Sequence, residues 1–449
     1  MSAPSMLMLV GLYFMVGALI VYVCMFADGN DPGVCGASNR FMTERLPGGA
    51  KKLAQAVLPA RAYAWFAGLG DYVCNKPNPL LQVFYLGLII GAYGFAVLEA
   101  YPHIPNSVVP AYHKLAAALG VAWCISTFIV ACSVEAGTLT PESWRRFDNY
   151  EYDELMYDSG KEYVGYDAPK LARSKHDGVT GLCVARFDHY CAWLAQPVGE
   201  RNYRWFLLFV GSHAAMLGYA GYLLGGILAH LTAANRLFEA RFVNQATGER
   251  VGASYSIVLQ YLLYRHTTIC TLAVLCGVMC VVLIGFVGYH LYLVAQGTTT
   301  NESFKWRHLL KCHAHMLKQR EWATTAVPKS KARAAAAEKA AAGAEAAGAA
   351  DAAELREKAA LLRTEHEELA AEAQMLLELS PADMAPPNNK YNRGFGVNLM
   401  EVLFPLCDRA AATADGKKQI AVWPLAKGGE EEPAGEEPAG TEEEPKKDK

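Results

Sequence analysis

Asp188, His189 and Cys191 fall within four residues of one another. Near neutral pH a thiol is a poor nucleophile; an imidazole beside it draws off the proton and leaves the thiolate. A carboxylate next to that histidine fixes its tautomer and stabilises the imidazolium. The trio therefore supplies a nucleophile (Cys191), a general base (His189) and an orienting group (Asp188). An apolar run begins at Trp205, 14 residues after Cys191. The thiolate is expected at a membrane surface, within reach of a thioester whose acyl chain lies in lipid or among helices.

What must position such a site is a membrane-embedded frame. Of the 449 residues, 53% are apolar and 19% charged, below the roughly 25% charged of ordinary globular chains. The net charge of -3 excludes a broadly basic nucleic-acid binder, and twelve cysteines in a chain this long are not a small disulfide scaffold. Five runs are long and apolar enough to cross a bilayer: Ser5 to Phe26, Pro79 to Leu98, Leu115 to Cys132, Trp205 to Leu231 and Thr268 to Ala295. The fold class is thus all-α integral membrane with about five spans. The first run lacks a preceding Lys or Arg and is too long for a signal peptide, so it reads as an anchor.

Loop charges set the expected topology. Arg40, Arg45, Lys51, Lys52, Arg61 and Lys76 crowd the segment after the first span, and the segment from Val134 to Arg204 is richer still. By the positive-inside rule both face the cytosol, which leaves the N-terminus lumenal and the C-terminus cytosolic. Arg236, Arg241, Arg250 and Arg265 in the last lumenal loop run against the rule. No cysteine falls in a lumenal loop, so no disulfide is expected. The chain divides into 1–78 (first span and a cytosolic loop), 79–132 (spans 2 and 3), 133–204 (the segment carrying the chemistry) and 205–295 (spans 4 and 5). There follow 296–328 (basic juxtamembrane), 329–380 (an Ala-rich helix), 388–410 (an aromatic-Asn segment) and 428–449 (an acidic tail, read as disordered). Leu355, Leu362, Leu369 and Leu376 form a heptad, read as a helix packed on its own protein or solvated, or as a helix partner through 355–376.

The segment from Arg173, RSKHDGVTGLCVARFDHYCAWLAQPVGERNYRWF, resembles the cysteine-rich domain of the DHHC protein S-acyltransferases in a DHYC variant of the signature. Two further family motifs appear in order: TTNE (Thr299 to Glu302) directly after the last span, and YNRGFGVNLMEVLF, with Asn398 and Phe404 at the characteristic positions. The extra N-terminal span and the YEYDELMY stretch look like the endoplasmic-reticulum branch, which acylates SNAREs near their membrane anchors. The resemblance implies that Cys191 takes an acyl group from a long-chain acyl-CoA such as palmitoyl-CoA and passes it to cysteines of membrane-associated proteins. Thr299 and Thr300 then support the aspartate, and Asn398 anchors backbone near the site. It also implies an endoplasmic-reticulum or other endomembrane location with a cytosolic catalytic domain.

The resemblance brings a departure too. The family's domain holds two zinc ions, each on three cysteines and a histidine. The first site's positions hold Tyr163, Tyr166, His176 and Cys183; the second's hold Asp177, Thr180, Tyr190 and Pro197. Four ligands are needed per ion, so zinc is expected to be lost, leaving only His176 and Cys183 as residual positions. Aromatic packing is expected in its place. Ala192 stands where the family has Pro, and Ala195-Gln196 where it has Asn-Asn. Cys312, His313 and His315 lack a fourth partner and read as a surface or lipid-headgroup segment, with Lys305, Arg307, Lys311, Lys318 and Arg320 facing anionic lipid or CoA phosphates. The alternative function is a catalytically silent subunit of a membrane assembly. A channel or transporter has little support, since the spans carry no interior charge and no repeat.

Overall fold

A computed structural model describes residues 33–163, 168–243, 248–381, 383–412 and 418–420, with no side-chain detail from 409 onward. The first expected span, Tyr166 and the acidic tail lie outside the described residues.

Among the described residues, four helices are long and apolar enough to cross a membrane. They are α4 (Leu80–Phe95), which continues through a π-turn at Ala96–Ala100 to His103, α5 (His113–Ser133), α7 (Tyr203–Ala234) and α9 (Thr267–Ala295), the shorter α8 (Tyr255–Arg265) lying between the last two. They match the four described runs to within a few residues, because apolar length alone dictates a span. α7 packs most extensively on α9 and α5. Two apolar clusters fill the bundle. One, at the end nearest Cys191, joins Tyr85, Phe128, Phe206, Phe209 and Val294. The other, at the opposite end, joins Ile104, Ala117, Leu224, Ile227 and Leu272. The flanks remain exposed at Trp123, Ile129, Val281 and Ile284, as lipid-facing surfaces must.

Two return crossings, α4 to α5 and α7 to α9, put three described segments at one end of the bundle: residues 33–79, the domain between Ser133 and Tyr203, and the described residues that follow Ala295. The segment read from its charges as a loop is helical instead. α1 (Val34–Arg40) runs through a π-turn into α2 (Leu46–Val57), and α3 (Ala60–Asn75) follows the Leu58–Pro59 break. The domain between the spans contains α6 (Trp144–Phe147) and two small antiparallel hairpins. β1 (Lys175–His176) pairs with β2 (Cys183–Val184), and β3 (His189–Cys191) with β4 (Gln196–Val198). Gly199 follows β4 at a point where a Cβ would lie 2.7 Å from the Ala136 carbonyl oxygen and 2.9 Å from that of Ala185, so only glycine permits this approach.

The Ala-rich stretch is not one helix over 329–380. α10 (Thr300–Ala346) runs 47 residues from the end of the last span, straight through Pro328, and then folds back as α11 (Ala352–Leu377). Gly348, at φ +64°, makes the stop: the Gly348 N–H bonds the Glu345 carbonyl and the Ala349 N–H the Ala344 carbonyl, closing the helix end. The leucine heptad of α11 is half-buried, and its partner is the chain's own α10. Ala359 and Ala373 of α11 and Ala323, Ala334 and Ala341 of α10 are buried between them, small residues that let the two backbones approach. Ser330 Oγ meets His366 Nδ1 at 2.9 Å, and Arg320 Nε donates to the Leu376 carbonyl. The C-terminal α12 (Phe395–Leu403) and α13 (Leu406–Arg409) return to pack beside α9, α7 and α6.

Candidate active site

Strand β3 sets the register of the chemistry. Side chains alternate along a strand, so His189 and Cys191 share one face while Tyr190 takes the other. Cys191 is buried among Leu194, Phe206, Phe209 and the ends of the spans. The His189 ring lies edge-on to Phe206 (5.1 Å between centroids). The β3–β4 turn is locked to the membrane helices by two glutamines. Gln196 Nε2 donates to the carbonyls of Ala131 (2.7 Å), Cys132 (3.1 Å) and Val134 (3.1 Å), closing the end of α5. Gln82 Nε2 of α4 donates to the Leu194 carbonyl at 2.9 Å. Between them Ala195 sits at φ +52°, a left-handed conformation that asparagine or glycine adopts more readily than alanine.

Asp188 is buried, and its carboxylate closes the N-terminus of α10. Thr300 donates its backbone N–H to Oδ1 (2.8 Å) and its hydroxyl to Oδ2 (2.8 Å), while the Asn301 N–H bonds the Asp188 carbonyl (3.1 Å). Oδ2 also lies 2.7 Å from His189 Nδ1, which fixes Nδ1 as the protonated nitrogen. Burial opposes the charge on Asp188, but the His189 bond and charge and the Thr300 N–H prevail and take it down to about 2. Burial likewise opposes the imidazolium, yet the Asp188 bond and then the Cys191 thiol raise His189 to about 10. The ring is thus held as the imidazolium, the form that pairs with a Cys191 thiolate.

Thr299 does not touch Asp188. It caps α10: its hydroxyl accepts from the Glu302 N–H (3.2 Å) and its own N–H donates to Glu302 Oε2 (2.9 Å), a capping box. Behind that box lies a buried ion pair with no counterpart in the sequence reading. Arg173 Nη2 and Nε donate to the two Glu302 oxygens at 2.6 and 2.8 Å, both side chains about 1% exposed. Arg173 also donates to the Gly297 carbonyl (2.9 Å) and lies over the rings of Tyr391 (4.6 Å) and Tyr150 (5.0 Å). Tyr157 donates to Glu302 Oε1. Glu302 is held below the usual carboxylate range: burial raises it, and Arg173 more than reverses that. One line of contacts therefore runs from Arg173 through Glu302 and the α10 cap to Thr300, Asp188 and His189.

Asn398 of α12 stands apart from Cys191 and acts on backbone. Its Nδ2 donates to the Ala295 carbonyl at the end of α9 (3.3 Å) and to Asn392 Oδ1 (3.0 Å), and its Oδ1 accepts from the Arg393 N–H (3.1 Å). Gly297, at φ +61°, lets the Tyr391 backbone come so close that a Cβ would lie 2.6 Å from its carbonyl. Among the described residues three further histidines are buried on spans: His113 at the start of α5, His213 of α7 and His290 of α9. His290 of α9 meets the Tyr203 hydroxyl at 2.9 Å with its ring 6.0 Å from that of His189. His213 bonds the Tyr85 hydroxyl. A lone histidine in a span was the available signal.

The donor set does not fit zinc. Tyr163 hydrogen-bonds Ser174 (2.9 Å), His176 is exposed and Cys183 fully buried, although they pair across β1–β2. Asp177 Oδ2 is taken by the Thr180 N–H (3.0 Å) and hydroxyl (2.6 Å), and Tyr190 stands opposite Pro197 across β3–β4. Among the described residues no three His, Cys, Asp or Glu side chains cluster as metal ligands do. Cys312 lies 3.5 Å from His308 on exposed α10.

Comparison with known proteins places this arrangement. The family model of the DHHC palmitoyltransferases matches residues 164–307. The palmitoyltransferase swf1 of Schizosaccharomyces pombe is 30% identical over 319 residues, covering 68% of this chain and 81% of that protein. The palmitoyltransferase SWF1 of Yarrowia lipolytica is 28% identical, over 66% of this chain and 71% of its own length. The palmitoyltransferase ZDHHC4 of Rattus norvegicus is 30% identical over 40% of this chain and 52% of its own. The chain belongs to the DHHC palmitoyltransferase family, as an integral membrane member with a mostly helical fold.

Proposed function

We propose that the protein is a protein S-acyltransferase that loads a long-chain acyl group onto Cys191 and passes it to cysteines of membrane-associated proteins. The observation that carries this reading is the Thr300–Asp188–His189 line ending at a thiol buried where the domain meets the spans. His189, held by Asp188, carries the proton given up by Cys191 as an imidazolium and leaves the thiolate. The thiolate adds to the thioester carbonyl of acyl-CoA, the carbon–sulfur bond to CoA breaks, and the departing thiolate takes the proton back from the imidazolium. An acceptor cysteine then gives its proton to His189 and attacks the acyl-Cys191 thioester, and the Cys191 sulfur leaves and is reprotonated. The acyl chain lies in the apolar core among α4, α5, α7 and α9, which is lined by Phe128, Phe206 and Phe209 near Cys191 and by Ile89, Leu217 and Leu272 farther in.

Supporting roles follow from the contacts: Thr300 orients Asp188, Thr299 and Glu302 shape the turn that presents Thr300, and Asn398 fastens the C-terminal segment to the last span. The domain folds without zinc, because six of eight ligand positions are replaced. Hydrogen bonds within Asp177–Thr180 and Tyr163–Ser174 and the Tyr190–Pro197 cross-strand pair stand at those positions. The basic segments and the domain lie on the cytosolic side of an endoplasmic-reticulum or related membrane, where acyl-CoA is available. No observation favours the silent-subunit alternative.

The test is incubation of purified protein with labelled palmitoyl-CoA, followed by hydroxylamine, which cleaves thioesters. Label that is hydroxylamine-sensitive and absent from Cys191→Ser supports the reading. No label on folded wild type restores the silent subunit, and label surviving Cys191→Ser moves the acceptor to another cysteine.

A further inference from the structure

Helices α1 to α3 bury almost nothing. Of Val34 through Asn75 only Gly36 is buried, and Leu46, Leu53, Val57, Trp65, Phe66, Leu69, Tyr72 and Val73 are all exposed. Their spacing is not random. On α2, Leu46, Ala50, Leu53 and Val57 recur every three or four residues and share one face, with Lys51, Lys52 and Gln55 on the other. On α3, Trp65, Leu69, Tyr72 and Val73 make a second stripe, with Ala67, Gly70, Asp71 and Cys74 opposite. We propose that α2 and α3 lie in the plane of the membrane, their apolar stripes sunk into the headgroup–acyl boundary of the leaflet beside the catalytic domain.

Three observations name the bilayer as the occupant. The first is continuity. Asn75 ends α3 and Leu80 begins the span α4, and a linker this short reaches at most about 17 Å. On the other side, the apolar run Ser5 to Phe26 ends eight residues before Val34, so apolar runs of spanning length flank the segment in the sequence. The second is charge: between Val34 and Lys76 the six basic residues Arg40, Arg45, Lys51, Lys52, Arg61 and Lys76 stand against two acidic ones, Glu44 and Asp71, the balance that anionic headgroups attract. The third is aromatic placement, with Tyr63, Trp65, Phe66 and Tyr72 within three turns of α3, where amphipathic rings settle at an interface. The arrangement bears on the site because α3 feeds α4, and Gln82 of α4 holds the Leu194 carbonyl of the catalytic turn. Embedding α2 and α3 fixes the depth of α4 and with it the height of Cys191 over the acyl region. This consequence rests on the proposed function; the embedding itself does not.

The experiment uses the full chain in vesicles of phosphatidylcholine and phosphatidylserine (about 70:30), with a fluorescent amino acid placed singly at Leu53, Val57 or Leu69, or at Lys51 or Gln55. Gel filtration of each variant before reconstitution keeps only folded protein. Lipids brominated on the acyl chain are the quencher. Emission at positions 53, 57 and 69 is expected to be quenched about twofold or more, and at 51 and 55 hardly at all. Unquenched, water-like emission at all five positions overturns the proposal. Blue-shifted but unquenched emission at 53, 57 and 69 also overturns it, because the stripes are then covered by protein. Neither reading depends on acyl transfer, so a failed loading assay leaves this result standing.

Discussion

At the scale of single residues the site is an electrostatic assembly with opposed penalties. Asp188 and His189 are each held in their charged forms against burial, by each other and by the end of α10. His189→Ala removes the proton acceptor and should slow Cys191 loading by roughly 10²- to 10⁴-fold, measured as single-turnover label transfer. Loading that falls less than tenfold would mean the thiolate forms without the imidazole. The same pair dictates a pH profile for stability. Asp188, lowered from 3.8 to about 2, contributes stability that is complete above 3.8 and lost as pH falls through 2. His189, raised from 6.5 to about 10, contributes stability that is complete below 6.5 and lost as pH rises through 10. Melting in detergent should therefore show the largest advantage of wild type over Asp188→Asn between about pH 4 and 6.5, shrinking on both sides. An advantage unchanged from pH 4 to 10 would contradict the pairing. Ala195 offers a gain: Ala195→Asn should raise stability by about 1 kcal/mol, since asparagine tolerates the left-handed backbone there. A lower melting temperature for this variant would show the side chain clashing in the turn.

At the scale of elements the hairpin that carries His189 and Cys191 is positioned by a helix start, and the helix start by a buried pair. Arg173→Met or Glu302→Met alone leaves an uncompensated charge and should destabilise by about 3–5 kcal/mol. The double variant should recover most of that stability in denaturant melts, because the two charges vanish together. Its loading rate should stay depressed, because the capping box that presents Thr300 is gone. Recovery of both stability and rate would reduce Arg173 and Glu302 to packing. Much of the candidate site was legible in sequence: Asp188, His189 and Cys191 are neighbours, and TTNE is contiguous. The ion pair was not, because its partners lie 129 residues apart and an arginine's burial leaves no local mark. The helices of 34–75 were hidden for a different reason. Pro47, Gly48 and Gly49 sit where α2 begins and are poor helix formers, so charge was the louder signal and the apolar stripe behind it the quieter one. The break between α10 and α11 was signalled by Gly348, but an alanine-rich context favours helix on both sides and masks the stop.

At the scale of the whole molecule the membrane frame was the most legible part, since each of the four described spans needs only length and apolarity. A tag after Lys449 should be cleaved by protease added to sealed microsomes, and a tag before Ser5 protected; the reverse pattern would strand Cys191 away from cytosolic acyl-CoA. Elemental analysis of purified protein should find well under one zinc per chain, and chelator treatment should leave loading unchanged. Stoichiometric zinc lost in a His176→Ala, Cys183→Ser variant would overturn the proposal that the domain folds without zinc. The architecture after the last span has a mechanical side as well. At 1.5 Å per residue α10 is a rod about 70 Å long, and its foot is the turn that grips Asp188. Pro328 interrupts its hydrogen bonding partway and by itself would make a flexible joint. The returning α11 is tied to α10 at Arg320 and again at Ser330, once on each side of that joint. It therefore works as a splint: with it in place a sideways push at the Gly348 tip is carried down to the foot as torque on Thr300, and without it the push is spent in bending at Pro328.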